Sequence, residues 1–178
     1  MMPSDLTSTQ RAKRLKLMIF DVDGVLTDGG LRYGPEGELI KTFNALDGHG
    51  IKLLQKSGIR TAIISARQSP IVARRATDLG ISILLQGIDD KRSAFEKIIA
   101  ELNITPEECG FMGDDVIDLP VMTRVGFAIS VPNGHSEVRS RAHYIAQAHG
   151  GKGAVREVCD FILYAQGNYD SALAPYLS

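Results

Sequence analysis

The sequence predicts an α/β fold in which helices cover both faces of a parallel sheet, the three-layer arrangement of Rossmann-like domains. Short apolar runs alternate with segments of helical character about five times along the 178 residues. The runs are four to six residues long, which is typical of strands buried on both faces. Regular alternation of this kind favours parallel strands joined by helices. Functional residues are therefore expected beyond the carboxyl ends of the strands, where such sheets bind their ligands.

Each element has its own signal in the sequence. The strands are predicted, in chain order, at 15–20, 60–65, 81–86, 110–113, 126–131 and 143–146. The helices are predicted at 47–56, 69–79, 90–100, 116–123, 137–141 and 153–165. Capping residues such as Asp47 and Ser69 mark helix starts, and Gly58 and Gly80 mark helix ends.

The remaining segments complete a single-domain organisation. Residues 31–43 contain a Gly-Pro-Glu-Gly sequence at 34–37, which predicts a β-hairpin after the first strand. Residues 1–14 are polar and mixed in charge, which predicts a flexible leader in which a helix can start at Thr9. Residues 15–178 are expected to form one domain, because domains usually contain about 100–200 residues.

Composition excludes several classes of protein. Twenty basic and 21 acidic residues give a net charge of −1, so no nucleic-acid partner is expected. No apolar run approaches the roughly 18 residues of a membrane helix, and no signal-peptide core is present, so no membrane partner is expected either. The two cysteines are too few for a disulfide framework. These features predict a reduced, cytoplasmic protein.

Two carboxylates follow the first predicted strand. Asp21 and Asp23 lie in DVDGVLTDG (21–29), and Gly24 allows the backbone to turn sharply beside them. Carboxylates this close repel each other unless a cation or a charged substrate offsets them. An aspartate pair can also simply cap a turn. The DxDG pattern directly after an apolar strand is much more specific than DxD alone.

A second acidic group follows the predicted strand at 110–113. Asp114, Asp115 and Asp118 lie in GDDVIDLP (113–120). In one parallel sheet these residues would approach the first acidic pair, and clustered carboxylate oxygens suit Mg²⁺. We assign Asp114 as the metal ligand. Asp115 and Asp118 are expected to support the site, although both can equally cap a helix.

A hydroxyl and two cations follow other strands. Ser65 ends the strand at 60–65 and can hold an oxyanion such as phosphate, although serine there is usually a turn residue. Arg67 adds a cation two residues later. Lys91 starts the helix after the next strand, and position alone distinguishes it from an ordinary surface lysine.

Four strand ends thus supply these groups in order, and the set is similar to the four signature motifs of the haloacid dehalogenase superfamily of phosphotransferases. Along nearly its whole length the chain further resembles the 3-deoxy-D-manno-octulosonate 8-phosphate phosphatases. The C-terminal GGKGAVREV is the most family-specific piece. The segments that carry the resemblance are DVDGVLTDG (21–29), EGELIKTFN (36–44), DGHGIKLL (47–54), RRATDLGI (74–81), GDDVIDLPVM (113–122) and GGKGAVREVCDFIL (150–163).

The resemblance implies a mechanism for hydrolysis through an aspartyl-phosphate. Asp21 would be the nucleophile, and Asp23 would protonate the leaving sugar oxygen and then activate water. Mg²⁺ would be held by Asp21, the carbonyl oxygen of Asp23, and Asp114. Ser65 and Lys91 would bind the other phosphate oxygens.

The resemblance also implies a keto-acid sugar phosphate as substrate, whose carboxylate needs a basic partner. Arg67, Arg75 and Lys152 are the candidates, although Arg75 can equally be an exposed helix charge. Many relatives have glycine where this chain has Ala66, and arginine where it has Leu46. These departures affect the choice of sugar and leave the phosphate chemistry unchanged.

The expected reaction is hydrolysis of 3-deoxy-D-manno-octulosonate 8-phosphate in lipopolysaccharide core synthesis of a Gram-negative bacterium. Two alternatives stay open. One is a phosphatase for a nine-carbon sugar phosphate of the sialic acid or KDN type. The other is a non-hydrolytic, phospho-accepting module that resembles a receiver domain, although Asp23 is placed to destroy a phosphorylated state.

The spacing of the motifs leaves no room for a cap domain over the site. Only 42 positions separate Asp23 from Ser65, and 26 separate Ser65 from Lys91. An uncapped site open to water would discriminate poorly between substrates. The resemblance implies a homotetramer, in which the hairpin around 34–37 packs against a neighbouring subunit and the segment at 150–153 reaches the active-site region.

Overall fold

The computed structural model describes residues 6–177. Its strands are β1 (Leu17–Phe20), β2 (Arg32–Gly34), β3 (Gly37–Ile40), β4 (Arg60–Ile64), β5 (Ile83–Leu85), β6 (Cys109–Met112), β7 (Phe127–Ser130) and β8 (Tyr144–Ile145). Its α-helices are α1 (Ser8–Ala12), α2 (Ala45–Lys56), α3 (Pro70–Leu79), α4 (Lys91–Leu102), α5 (Leu119–Met122), α6 (Ser136–Arg139), α7 (Ala154–Gln166) and α8 (Tyr169–Leu173).

Six strands form one sheet in the order β5-β4-β1-β6-β7-β8, and every pairing in it is parallel. The central strand β1 pairs with β4 on one side and β6 on the other, and Phe20 aligns with Ile63 and Met112. The carboxyl ends of these three strands therefore meet at one edge. The residues that follow them lie close together there, as the sequence predicts.

Helices cover both faces of this sheet and create two hydrophobic layers. Met18 and Phe20 of β1 pack with α1, α2, α3 and α7 on one face. Leu17 and Ile19 pack with α4, α5 and α6 on the other. This alternation along a single strand explains why its sequence is apolar throughout. The predicted three-layer α/β fold is confirmed, and only a hairpin, helices and strands of the core lie between the four motifs.

The structure corrects the predicted start of the first long helix. Asn44, and not Asp47, caps α2, because its side-chain oxygen accepts hydrogen bonds from the backbone N–H groups of Leu46 (2.8 Å) and Asp47 (3.4 Å). The Asp47 carboxylate is buried and accepts instead from the N–H of Arg156 at the start of α7 (2.8 Å). Asp47 thus joins two helices.

The predicted leader at 1–14 begins outside the described residues, which start at position 6. Its described part contains α1, which is capped by Thr7 and starts at Ser8, one residue before the helix start that the sequence allows at Thr9. Arg11 is buried and donates to the carbonyl oxygen of Gly126 at 2.8 Å. Gln166 of α7 donates to the carbonyl oxygen of Ala12 at 3.1 Å. Tertiary contacts to distant residues therefore order a segment whose own sequence is polar.

The predicted hairpin is present as a separate antiparallel pair, β2 and β3. Gly37 adopts φ +114° at its turn, a conformation that favours glycine. The hairpin turns large apolar side chains to solvent: Tyr33, Leu39 and Ile40 are each more than half exposed. Among residues 6–177, none of the helices combines the length and apolar character that a bilayer span requires.

Candidate active site

The loops after β1, β4 and β6 line a cavity of about 240 Å³ that is open to solvent. Asp21, Asp23, Ser65, Arg67 and Asp114 line it. The Ser65 backbone N–H donates to the carbonyl oxygen of Leu85 (2.9 Å), and the Ser65 carbonyl oxygen accepts from the N–H of Ile88 (3.1 Å), which fixes the residue beside the end of β5. The structure therefore brings together groups that are far apart along the chain.

Lys91 lies beneath this cavity between two carboxylates. Its side chain is 1% exposed, and its Nζ lies 2.9 Å from Asp21 Oδ1 and 2.6 Å from Asp118 Oδ1. Burial lowers the pKa of Lys91, but the two carboxylates raise it, so that its net pKa lies above the usual value. The side chain is thus a fixed ammonium that orients Asp21.

Asp118 organises the loop after β6. It is fully buried, and its Oδ2 accepts from the N–H groups of Asp114 (2.9 Å) and Asp115 (3.2 Å) while Oδ1 accepts from Lys91. Asp115 is exposed and caps the following 3₁₀ turn by accepting from the N–H of Val116 at 2.7 Å. The buried carboxylate is therefore the stronger anchor of this loop.

Three carboxylates form a group that could hold a metal ion. Asp21, Asp114 and Asp118 each offer an oxygen atom, and these atoms lie within 4.8 Å of one another. Oδ1 of Asp114 is buried and lacks a hydrogen-bond partner. A Cβ atom at Gly24 would lie 2.0 Å from Asp114 Oδ2, so only glycine leaves space there.

The electrostatics of this group also fit a cation. Burial raises the pKa of Asp21 to about 7, and the Asp118 carboxylate adds to the rise. Burial, followed by the carboxylates of Asp21 and Asp118, raises the pKa of Asp114 to about 8. A divalent cation among these oxygens would relieve both the repulsion and the missing partner. Since Asp118 already accepts three hydrogen bonds, Asp21 and Asp114 are the available side chains.

Asp23 is contacted by two cations, one from the hairpin and one from the loop after β4. Its Oδ1 accepts from Nζ of Lys41, which follows β3, and its Oδ2 lies 3.5 Å from Nε of Arg67. Lys41 also lies 3.0 Å from Oε1 of Glu38. Neither Lys41 nor Glu38 was predicted as a site residue from the sequence. The one signal for Lys41 is its place inside the apolar stretch LIKTF.

Of the three predicted substrate cations, only Arg67 lies at the cavity within one chain. Arg75 instead lies over the ring of Phe43 (5.6 Å) and donates to the carbonyl oxygen of Asn44 (3.4 Å), because its place on α3 faces α2. Lys152 is exposed, and its Nζ is 3.9 Å from Asp28 Oδ2. Within one chain Arg75 and Lys152 do not line this cavity, and their assignment as substrate cations stays a prediction.

The glycine-rich segment at 150–153 is fastened to the loop after β1. Asn133 accepts from the N–H of Gly150 (2.8 Å) and donates to the carbonyl oxygen of Gly24 (3.1 Å). Gly151 donates to the carbonyl oxygen of Val25 at 2.9 Å. Asn133 lies in a Pro-Asn-Gly sequence that predicts only a turn, so its bridging role was not foreseen.

Paired aspartates after β1, a hydroxyl after β4, a lysine opening α4 and an aspartate after β6 define a phosphatase of the haloacid dehalogenase class. A family model described as haloacid dehalogenase-like hydrolase matches residues 80–158. The chain is 45% identical over 163 residues to 3-deoxy-D-manno-octulosonate 8-phosphate phosphatase KdsC of Yersinia pestis, covering 92% of this chain and 87% of that one. The chain therefore belongs to the 3-deoxy-D-manno-octulosonate 8-phosphate phosphatase family.

Solved structures agree with this membership. A YrbI family phosphatase from Pseudomonas syringae is 53% identical, with a TM-score of 0.94 over 96% of this chain and 97% of that one. The 3-deoxy-D-manno-octulosonate 8-phosphate phosphatase of Moraxella catarrhalis, solved with a magnesium ion, a phosphate ion and KDO, is 45% identical. Its TM-score is 0.93 over 99% of each chain.

Proposed function

We propose that this chain hydrolyses 3-deoxy-D-manno-octulosonate 8-phosphate to 3-deoxy-D-manno-octulosonate and phosphate in a Mg²⁺-dependent reaction. The observation that carries this proposal is the cavity in which Asp21, oriented by Lys91, lies beside Asp23 and the unpartnered Oδ1 of Asp114. The names and bound ligands of the relatives support the substrate. The reaction would belong to lipopolysaccharide core synthesis in the cytoplasm of a Gram-negative bacterium.

The first half of the reaction transfers the phosphoryl group to the protein. One Asp21 oxygen is held by Lys91, and the other attacks phosphorus. As the new bond forms, the bond between phosphorus and the sugar oxygen breaks, and Asp23 protonates that oxygen. The Lys91 ammonium and the Ser65 hydroxyl stabilise charge on the remaining phosphate oxygens.

The second half releases phosphate. Asp23 is now ionised and accepts a proton from water, whose oxygen attacks phosphorus of the aspartyl-phosphate. The bond to Asp21 breaks, and the carboxylate is restored. Asp23 takes from water the proton that it gave to the sugar oxygen, so it is protonated again for the next cycle.

The residues present fit the magnesium ion that this chemistry uses. The carboxylates of Asp21 and Asp114 would hold it, together with the carbonyl oxygen of Asp23. When bound, the ion supplies positive charge that offsets both these carboxylates and the phosphate. The buried, unpartnered oxygen of Asp114 supports this assignment.

The sugar carboxylate is expected at Arg67, which lines the cavity. We further propose that Arg75 and Lys152 meet the substrate of a neighbouring subunit in a homotetramer. The exposed apolar side chains Tyr33 and Leu39 of the hairpin support an interface there. Light scattering on the active enzyme would test this arrangement, and a fully active monomer would contradict it.

The reaction is tested by measuring phosphate release from 3-deoxy-D-manno-octulosonate 8-phosphate, with and without Mg²⁺, beside a panel of nine-carbon and common sugar phosphates. We expect a clear preference for the eight-carbon substrate and no turnover without the ion. The Asp21→Asn variant should lose activity by at least about a thousand-fold while remaining folded. Equal turnover of all sugars, or a long-lived aspartyl-phosphate in the native enzyme, would overturn the proposal.

A further inference from the structure

A second buried lysine lies behind the cavity and contacts its acid–base residue. The Lys41 side chain is 2% exposed, and its Nζ donates to Asp23 Oδ1 and lies 3.0 Å from Glu38 Oε1. Lys41 contacts Asp23, which lines the cavity. Its position is therefore that of a residue acting through another.

Lys41 belongs to a compact ionic cluster that joins three segments of the chain. Glu38 accepts from the Ser69 hydroxyl at the start of α3, and its Oε1 lies 3.6 Å from Nη2 of Arg67. Arg67 in turn lies 3.5 Å from Asp23 Oδ2. Two cations and two carboxylates thus balance in charge and connect the hairpin, the loop after β1 and the loop after β4.

Burial makes this arrangement rigid. A desolvated ammonium is costly unless its donors are paired, so Lys41 must keep its contacts with both Asp23 and Glu38. Lys41 contacts Oδ1 of Asp23, which leaves Oδ2, 3.5 Å from Nε of Arg67, as the oxygen that would exchange a proton with the substrate. A carboxylate without this partner would sample other side-chain rotamers, and proton transfer requires close positioning.

We propose that Lys41, anchored by Glu38, is a positioning residue that holds Asp23 in the orientation for proton transfer. This inference deepens the proposed function and rests on it, since it takes Asp23 as the acid and base. It also gives the hairpin a catalytic task within its own chain. Because the sugar oxygen needs a proton to leave and nitrophenolate does not, the choice of leaving group can isolate this task.

The test compares the Lys41→Met variant with the native enzyme on two substrates in rapid-mixing experiments with Mg²⁺. With 3-deoxy-D-manno-octulosonate 8-phosphate we expect formation of the aspartyl-phosphate to slow about a hundred-fold. With p-nitrophenyl phosphate we expect the initial burst of nitrophenolate to stay within about threefold of the native rate, since that step needs no proton. The later hydrolysis, which uses Asp23 as base, should slow, so aspartyl-phosphate accumulates.

Matched variants separate positioning from structural damage. Lys97→Met removes a lysine whose side chain is 75% exposed, and it should leave the rates on both substrates unchanged. Lys41→Arg should restore part of the lost rate on the sugar phosphate. Glu38→Gln should show a smaller version of the split between substrates, that is, a loss on the sugar phosphate without a matching loss on p-nitrophenyl phosphate. If Lys41→Met does not fold, the split between the two substrates in these last two variants decides the question. An equal loss on both substrates would overturn the proposal.

The Asp23→Asn variant distinguishes failure of this inference from failure of the proposed function. If Asp23→Asn shows the leaving-group split and the Lys41 variants do not, Lys41 has no positioning role. If Asp23→Asn shows no split, the assignment of Asp23 as acid and base is wrong, and the inference about Lys41 falls with it.

Discussion

Two buried lysines hold the two carboxylates of the loop after β1, and they come from different parts of the fold. Lys91 opens α4 within the sheet domain and contacts Asp21. Lys41 follows the hairpin strand β3 and contacts Asp23. Each lysine also contacts a second carboxylate, so the local chemistry is nearly the same. The two lysines differ in the step of phosphoryl transfer that we propose for their partners.

The comparison shows how one pairing of charges can serve two tasks. Lys91 orients the proposed nucleophile, and in the proposed reaction its ammonium also stabilises charge on the phosphate oxygens. Lys41 lies behind the acid–base residue and acts through it. A lysine whose partner attacks phosphorus should matter for every substrate, whereas one whose partner moves a proton should matter only where a proton is needed.

The largest effect is expected from Lys91→Met, which should lower phosphate release by about 10²–10³-fold for sugar and nitrophenyl substrates alike. Removing the ammonium leaves Asp118 buried without its counter-charge, so the free energy of unfolding should fall by about 3–5 kcal/mol. Steady-state kinetics and urea unfolding measure the two effects. If Lys91→Met lost activity on the sugar phosphate but not on the nitrophenyl substrate, the two lysines would not differ in their roles.

A double variant separates the two losses at Lys91. Asp118→Asn in the Lys91→Met background keeps an oxygen that can accept from the N–H groups of Asp114 and Asp115. Stability should then recover in part, because no uncompensated charge stays buried at position 118. Activity should not recover, since the ammonium is still missing. Recovery of activity would show that Lys91 acts only on folding.

The second prediction concerns pH and the metal on the Lys91 side. The pKa of Asp21 is raised to about 7 and that of Asp114 to about 8, so the metal-free folded state retains protons that the unfolded chain releases above about pH 4. The stability that these groups contribute is therefore complete below about pH 4 and is lost as the pH rises to about 8. Mg²⁺ binds the ionised carboxylates, so its affinity and its stabilising effect should rise over the same range.

Thermal unfolding at pH 5 and pH 8, with Mg²⁺ or with a chelator, checks this prediction. The chelated protein should melt at a lower temperature at pH 8, and Mg²⁺ should raise the melting temperature more at pH 8 than at pH 5. Asp114→Asn should weaken both trends, because it removes the group with the higher pKa. A stabilisation by Mg²⁺ that does not change with pH would refute the assignment of these carboxylates as ligands.

The smallest effect is expected at the exposed cap of α4, the helix that Lys91 opens. Asp90 accepts from the N–H of Ser93 at 3.1 Å, and Asp90→Ala should lower the stability only slightly, because this N–H loses its acceptor. Activity should stay within about twofold, since buried carboxylates, and not the cap, hold Lys91. Asp89→Ala is the matched control, and calorimetry beside kinetics gives the comparison. A large loss of activity at Asp90 would mean that the helix start positions the lysine.

Much of the fold could be predicted from the sequence because its signals are local. Apolar runs predict the strands, and Ser69 and Gly80 bound α3 as expected. The predicted helix at 116–123 is instead a 3₁₀ turn followed by the short helix α5, and α8 was not predicted. Local signals were weakest where tertiary contacts decide the conformation, as at α1, whose buried Arg11 bonds to a residue far along the chain.

The sequence by itself determined the α/β class and the order of the four motifs, since each motif directly follows an apolar strand. The parallel register of β1 with β4 and β6 then brings the motifs to one edge of the sheet. Only the tertiary structure decided which cation meets which carboxylate. Lys41 and Asp23 are 18 positions apart on separate elements, and no local periodicity records their contact. Buried charges find partners by proximity in space, because only a folded interior removes the water that would otherwise solvate them.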